Sequence, residues 1–129
     1  MEDKKQKVLI VDDDKFLLNM YSLKFQKSGF GVDTAVGGQE ALSKLREGVL
    51  PDILLLDVVM PAMDGLELLA TIRKENLAPK AVAIMLSNQN QPADIEKAKN
   101  LGIKSYIVKA NSIPSEVVAE VIKAIKEKG

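Results

Sequence analysis

Short, unbroken apolar runs alternate along this chain with longer stretches of helical periodicity. Residues 8–11 (Val-Leu-Ile-Val), 53–56 (Ile-Leu-Leu-Leu), 81–86 (Ala-Val-Ala-Ile-Met-Leu) and 106–108 (Tyr-Ile-Val) are continuously apolar. Runs of that kind predict strands buried on both faces. Residues 32–36, Val-Asp-Thr-Ala-Val, alternate only in part and predict a strand at a sheet edge. Helical spacing covers residues 15–28, 38–47, 66–75, 92–101 and 113–128. In the first of these helices Phe16, Met20, Leu23 and Lys27 fall on one stripe, widened by Leu17 and Phe25. Asp14 is placed to cap its start and Gly29 to stop it. The second carries Ala41, Leu42 and Leu45; the third follows Asp64-Gly65 with Leu66, Leu69 and Ile72 or Arg73 as its face. The fourth opens on Pro92, buries Ile95, Ala98 and Leu101 and stops at Gly102. The fifth has Ser112 as its cap and Val117, Val118, Val121, Ile122 and Ile125 as its buried side.

The order is strand then helix, five times over. That alternation predicts an α/β fold: a parallel five-stranded sheet, covered by helices on both faces and joined by right-handed crossovers. One domain over residues 1–129 accommodates all five units, with residues 1–6 as a flexible N-terminal arm.

Composition narrows the chemistry. Aromatic residues make up 4% of the chain, so the core must be aliphatic. Lysine plus arginine number 18 and aspartate plus glutamate 18, which argues against direct nucleic-acid binding through a general basic excess. Cysteine and histidine are both absent. Thiolate nucleophiles, imidazole bases and soft metal sites are thereby excluded, and a metal would have to be a hard ion held by oxygen, such as Mg²⁺. No apolar stretch approaches the roughly 20 residues of a membrane span. The polar N-terminus enters a strand without a signal-type apolar region, so a cytoplasmic protein with no membrane partner is expected.

Three apolar runs end in charge. The run 8–11 leads into Asp12-Asp13-Asp14, 53–56 into Asp57, and 106–108 into Lys109. In a parallel sheet these groups meet at the carboxyl edge, where open α/β sheets bind ligands. With Asp14 used as a helix cap, Asp12, Asp13 and Asp57 form a carboxylate cluster that a cation would stabilise; the Val59 carbonyl could add a further ligand. Lys109 can counter a carboxylate or a phosphoryl oxygen, and Ser87, closing the fourth run, can donate to one. Taken singly, each of these residues is a turn, cap or strand-end residue; together they suit a metal and a phosphoryl group.

These markers, Val11-Asp12-Asp13, Asp57 followed by Met60-Pro61 and Met63-Asp64-Gly65, the hydroxyl of Ser87, and Lys109, resemble the receiver domain of two-component response regulators, of the chemotaxis single-domain type. The resemblance spans essentially the whole chain. It implies a doubly wound, flavodoxin-like sheet of strand order 2-1-3-4-5. It implies that Asp57 accepts a phosphoryl group from a histidine kinase or histidine phosphotransfer protein. Mg²⁺ would be bound directly by Asp13, Asp57 and the Val59 carbonyl, with Asp12 acting largely through water. Ser87 and Lys109 would hold phosphoryl oxygens, and Ser87 would be coupled to Tyr106 as a switch acting on the face formed by the fourth helix, fifth strand and fifth helix. The domain would be a switch that hydrolyses its own acyl phosphate slowly. The resemblance leaves a homodimer on activation open, and names no kinase or downstream partner.

The chain departs from the family pattern in three places. Ala110 stands where the family has proline after a cis bond; a non-proline cis bond costs about 3–4 kcal/mol. Either the fold enforces cis, or the loop at Lys109-Ala110-Asn111 is rebuilt. Asn88 replaces a small residue and narrows access to the phosphoryl site. Val59, paired with Gln89, has no polar side chain to orient water, which predicts a long-lived phosphoryl state.

Other functions fit less well. An aspartate-nucleophile phosphatase of the haloacid dehalogenase type needs a second aspartate where Val59 stands. A flavin-binding module needs a phosphate-cradling loop where Asp12-Asp13-Asp14 would repel phosphate. An interaction scaffold that is never phosphorylated is the alternative that Ala110 keeps open. With no output segment following Gly129, a stand-alone receiver is the expectation, and a domain excised from a longer regulator is equally compatible.

Overall fold

The structure, a computed structural model, describes residues 5–87, 91–109 and 113–126. The elements run β1 (Lys7–Asp12), α1 (Lys15–Lys27), β2 (Gly31–Val36), α2 (Gly38–Arg46), β3 (Ile53–Asp57), α3 (Gly65–Lys74), β4 (Val82–Ser87), α4 (Pro92–Asn100), β5 (Ser105–Val108) and α5 (Pro114–Lys126). All strands are parallel, in the order β2-β1-β3-β4-β5. The fold class and strand order therefore match the expectation.

The pleat divides each apolar run between two cores. Leu9, Val11, Leu54, Leu56, Ala83 and Met85 face α2, α3 and α4. Val8, Ile10, Ile53, Leu55, Ile84 and Leu86 face α1 and α5. Successive residues of β1, β3 and β4 thus point into opposite cores, which is why these runs lack polar positions. Each fully buried aliphatic side chain contributes about 1.5–3 kcal/mol of transfer free energy.

Two assignments of buried faces are corrected. In α1, Phe16 is 70% exposed and Leu23 59% exposed, whereas Leu18, Tyr21 and Phe25 are buried. Two apolar stripes compete on this helix, and the one that meets β1 and α5 is the Leu18–Tyr21–Phe25 stripe. Phe25 locks it by an edge-on contact with Phe30, 5.1 Å between ring centroids. The second correction concerns β5, which is not buried on both faces. It is the outer strand beyond β4, and only Ile107 in it is fully buried. On α4, Ala98 is buried while Ile95 and Leu101 are half-buried, so this helix sits shallowly.

Caps follow local chemistry. Asp14 accepts from the amides of Phe16 (2.9 Å) and Leu17 (3.2 Å), as expected. Asp64 and Glu67 form a reciprocal capping box at the start of α3. Gly29 ends α1 at φ +94°, a conformation that L side chains rarely adopt. Arg73, on α3, donates to the carbonyls of Leu101 (3.1 Å) and Gly102 (3.3 Å), fastening the far end of α4. Ser112, Asn88, Gln89 and the Lys109–Ala110 bond lie outside the described residues.

Candidate functional site

The carboxyl ends of β1, β3 and β4 deliver Asp12, Asp57 and Ser87 as the last residue of each strand. All three are buried, with Asp12 1% exposed and Asp57 4%. Pairing of Asp57 with Leu86, and of Ser87 with Val108, sets the serine beside the Asp57 strand end and next to the strand that leads into Lys109. The Lys109 ammonium reaches back between two strands: Nζ lies 3.1 Å from Asp12 Oδ2 and 3.4 Å from Asp57 Oδ1. Asp12 Oδ1 accepts the Asp14 amide at 3.0 Å, which fixes the carboxylate against the start of α1. Asp13 is exposed, yet its carboxylate belongs to a group with Asp12 and Asp57 whose ligand atoms lie within 4.8 Å of one another.

Why Asp57 sits so firmly follows from Gly65. A Cβ at that position would collide with the Asp57 carbonyl oxygen. The Gly65 amide donates to the Val58 carbonyl at 2.8 Å, and Val58 donates to Leu86 at 3.0 Å. The Met63-Asp64-Gly65 motif is thus a packing device: α3 begins directly against the backbone of Asp57.

The charges are unbalanced. Burial is the main reason that the Asp57 carboxyl is pushed up to about 7; the neighbouring Asp12 adds to this, and Lys109 opposes it. For Lys109, burial pulls downward, but Asp57 and Asp12 outweigh it and the net shift is upward. Three carboxylates face one ammonium, and the imbalance suits a divalent cation. The donor set is entirely oxygen, so the residues fit Mg²⁺.

Of the residues singled out from sequence, Asp12, Asp13, Asp57 and Lys109 come together and Ser87 adjoins them. The Val59 side chain is 57% exposed. Tyr106 pairs with Met85 further down the strand, half-buried against the α2–α3–α4 core. Tyr21 was missed. Its phenol is buried at the α1 wall and shifted upward, chiefly by burial, with Lys109 opposing and Asp12 and Asp57 reinforcing. The signal was its place on α1, three residues after Leu18 and four before Phe25.

A family profile described as the response regulator receiver domain matches residues 8–122. The chain belongs to this family: it is a receiver domain of two-component signalling. It is 36% identical over 120 residues to the alkaline phosphatase synthesis transcriptional regulatory protein PhoP of Bacillus subtilis, covering 93% of this chain and 48% of that protein. It is 34% identical over 123 residues to the DNA-binding response regulator MtrA of Mycobacterium tuberculosis, covering 94% of this chain and 51% of the relative. The chain therefore spans about half the length of these relatives. Among solved structures, chemotaxis protein CheY4 of Vibrio cholerae superposes with a TM-score of 0.85 at 29% identity, covering 94% of this chain and 99% of that one. The receiver domain of Francisella response regulator 1452 gives 0.80 at 32% identity, covering 95% and 98%. Among the described residues, no helix is long and apolar enough to cross a membrane.

Proposed function

We propose that Asp57 is the phosphoryl acceptor of a two-component relay, loaded from the phosphohistidine of a histidine kinase or phosphotransfer protein in the presence of Mg²⁺. The observation that carries this reading is the buried Asp12–Lys109–Asp57 bridge with Asp13 beside it. Family membership supports it.

In this mechanism an Asp57 carboxylate oxygen attacks phosphorus as the donor's P–N bond breaks. The bonding pair returns to the imidazole nitrogen of the donor, so no base from this chain is needed. Lys109, already 3.4 Å from Asp57, turns to a phosphoryl oxygen and keeps its hold on Asp12. Ser87 donates to a second phosphoryl oxygen. Asp12, Asp13, Asp57 and the Val59 carbonyl would hold Mg²⁺. When bound, the ion supplies charge neutralisation and alignment, the main needs of phosphoryl transfer. Movement of the Ser87 hydroxyl biases Tyr106 inward, and the α4–β5–α5 face changes as a population shift between two states. Partners would read that face, with a homodimer as one such partner. A cytoplasmic setting is part of the same reading. Val59 orients no water, so the acyl phosphate persists.

Incubation with acetyl phosphate, with and without Mg²⁺, followed by intact mass tests this. One phosphoryl group should appear only with Mg²⁺, vanish in Asp57→Asn and outlast minutes at neutral pH. No Mg²⁺-dependent gain would leave an interaction scaffold; loss within seconds would remove the role given to Val59.

A further inference from the structure

At the end of the molecule opposite the carboxylates, all five helices finish and all five strands begin, and each helix carries basic residues in its last turn. Between the ends of α1 and α5 lies a groove of about 240 Å³, lined by Lys5, Gln6, Ser28, Gly29, Phe30, Ile122 and Ile125. Its floor is apolar, with Phe30 buried and Ile122 and Ile125 half-buried. Among the described residues, no carboxylate lines it. Lys5 stands in its wall, and the exposed Lys24, Lys27 and Lys126 flank it from the last turns of α1 and α5. None of these four is ion-paired with another described residue.

Lysines in a last turn complement the helix dipole, which accounts for part of this pattern. It does not account for Lys5, which precedes a strand, or for an apolar floor beneath the charges. Long-range attraction with a recessed apolar seat matches a chain that carries carboxylates around an aliphatic anchor. Nucleic acid fits less well. Both arginines are committed, Arg46 to Glu75 and Arg73 to the α4 carbonyls, and the one aromatic ring in the groove is buried. A lipid surface fits less well too, because the apolar side chains are recessed and not protruding.

We infer that the groove between the ends of α1 and α5 is a docking site for an acidic peptide segment bearing an aliphatic side chain, remote from the phosphoryl site. The probe is a fluorescein-labelled synthetic peptide of aspartate and glutamate interspersed with leucine, titrated with the full chain. Anisotropy should rise, fall back with added salt, and be accompanied by amide shift changes at Phe30, Ile122 and Ile125. Lys27→Glu combined with Lys126→Glu should weaken binding by about tenfold or more. Mg²⁺-dependent labelling by acetyl phosphate, where the parent chain shows it, should be unchanged in that variant. Shift changes elsewhere, or undiminished binding by the double variant, would overturn the assignment. So would tighter binding at the same residues by a single-stranded oligonucleotide or by phosphatidylserine vesicles. Salt-sensitive self-association abolished by the same substitutions would give the groove to a second copy and also overturn it.

Discussion

Two sets of ion pairs in this protein look alike on paper and differ in what they do. On the surface, Arg46 and Glu75 form a fork with contacts of 2.9 and 2.6 Å, and Lys44 meets Asp33 at 2.6 Å. In the site, Lys109 meets Asp12 and Asp57 at the longer distances of 3.1 and 3.4 Å. The better geometry belongs to the pairs that matter less. Water screens the surface pairs, so their short contacts add little to stability. The buried bridge is screened far less, and its imbalance is stored as a proton affinity in Asp57. Distance describes a contact; burial sets its consequence.

The comparison is broken most severely by Lys109→Met. Removing the ammonium leaves two buried carboxylates unpaired, and loss of roughly 3–5 kcal/mol is expected near pH 8 without Mg²⁺. Urea unfolding measures it, and the loss should shrink at pH 5, where Asp57 holds a proton. An undiminished loss at pH 5 would mean that packing, not charge, is responsible.

The pH dependence of the intact, metal-free protein comes next. Folding raises the Asp57 pKa from 3.8 to about 7, so between those values the folded chain holds more protons than the unfolded one. The stabilisation is complete below 3.8 and is lost as pH rises through about 7. The expected decline is on the order of 2–3 kcal/mol after allowance for coupling to Asp12. Melting curves in EDTA should show it, and Mg²⁺ should flatten it. A flat profile in EDTA would contradict the strained carboxylate pair.

Gly65→Ala probes the backbone that seats Asp57. Overpacking against the Asp57 carbonyl should cost about 1–3 kcal/mol and slow labelling by acetyl phosphate more than it lowers the melting point predicts. The smallest effect is assigned to Arg46→Ala, which should leave the urea midpoint unchanged at physiological salt. A clear destabilisation there would promote the surface fork to a structural role and undo the contrast.

Much of this was legible in the chain because the site stands where apolar runs stop. Asp12, Asp57 and Ser87 are each the first polar side chain after a buried stretch, and a parallel sheet gathers such positions at one edge. Asp14 was readable as a cap for the same local reason. The face of α1 was not, because two apolar stripes share it and only the positions of β1 and α5 choose between them. Tyr21 was hidden by that choice. The edge position of β5 was masked by its apolar composition, which a short strand with one buried face can also have. The Arg73 clasp joins residues 28 apart and left no local trace. The Asp64–Glu67 box had a spacing signal that could have been read.

That clasp gives α4 an unusual mechanical character. The helix is nine residues long, about 13 Å from end to end. Ala98 is its one fully buried side chain, and Arg73 grips the carbonyls just beyond its last turn. The other end begins a few residues after Ser87. A rod held at one tip and loosely bedded along its length moves most at the other. Displacements beside Asp57 would therefore swing the near tip of α4 most and fade toward the Arg73 end.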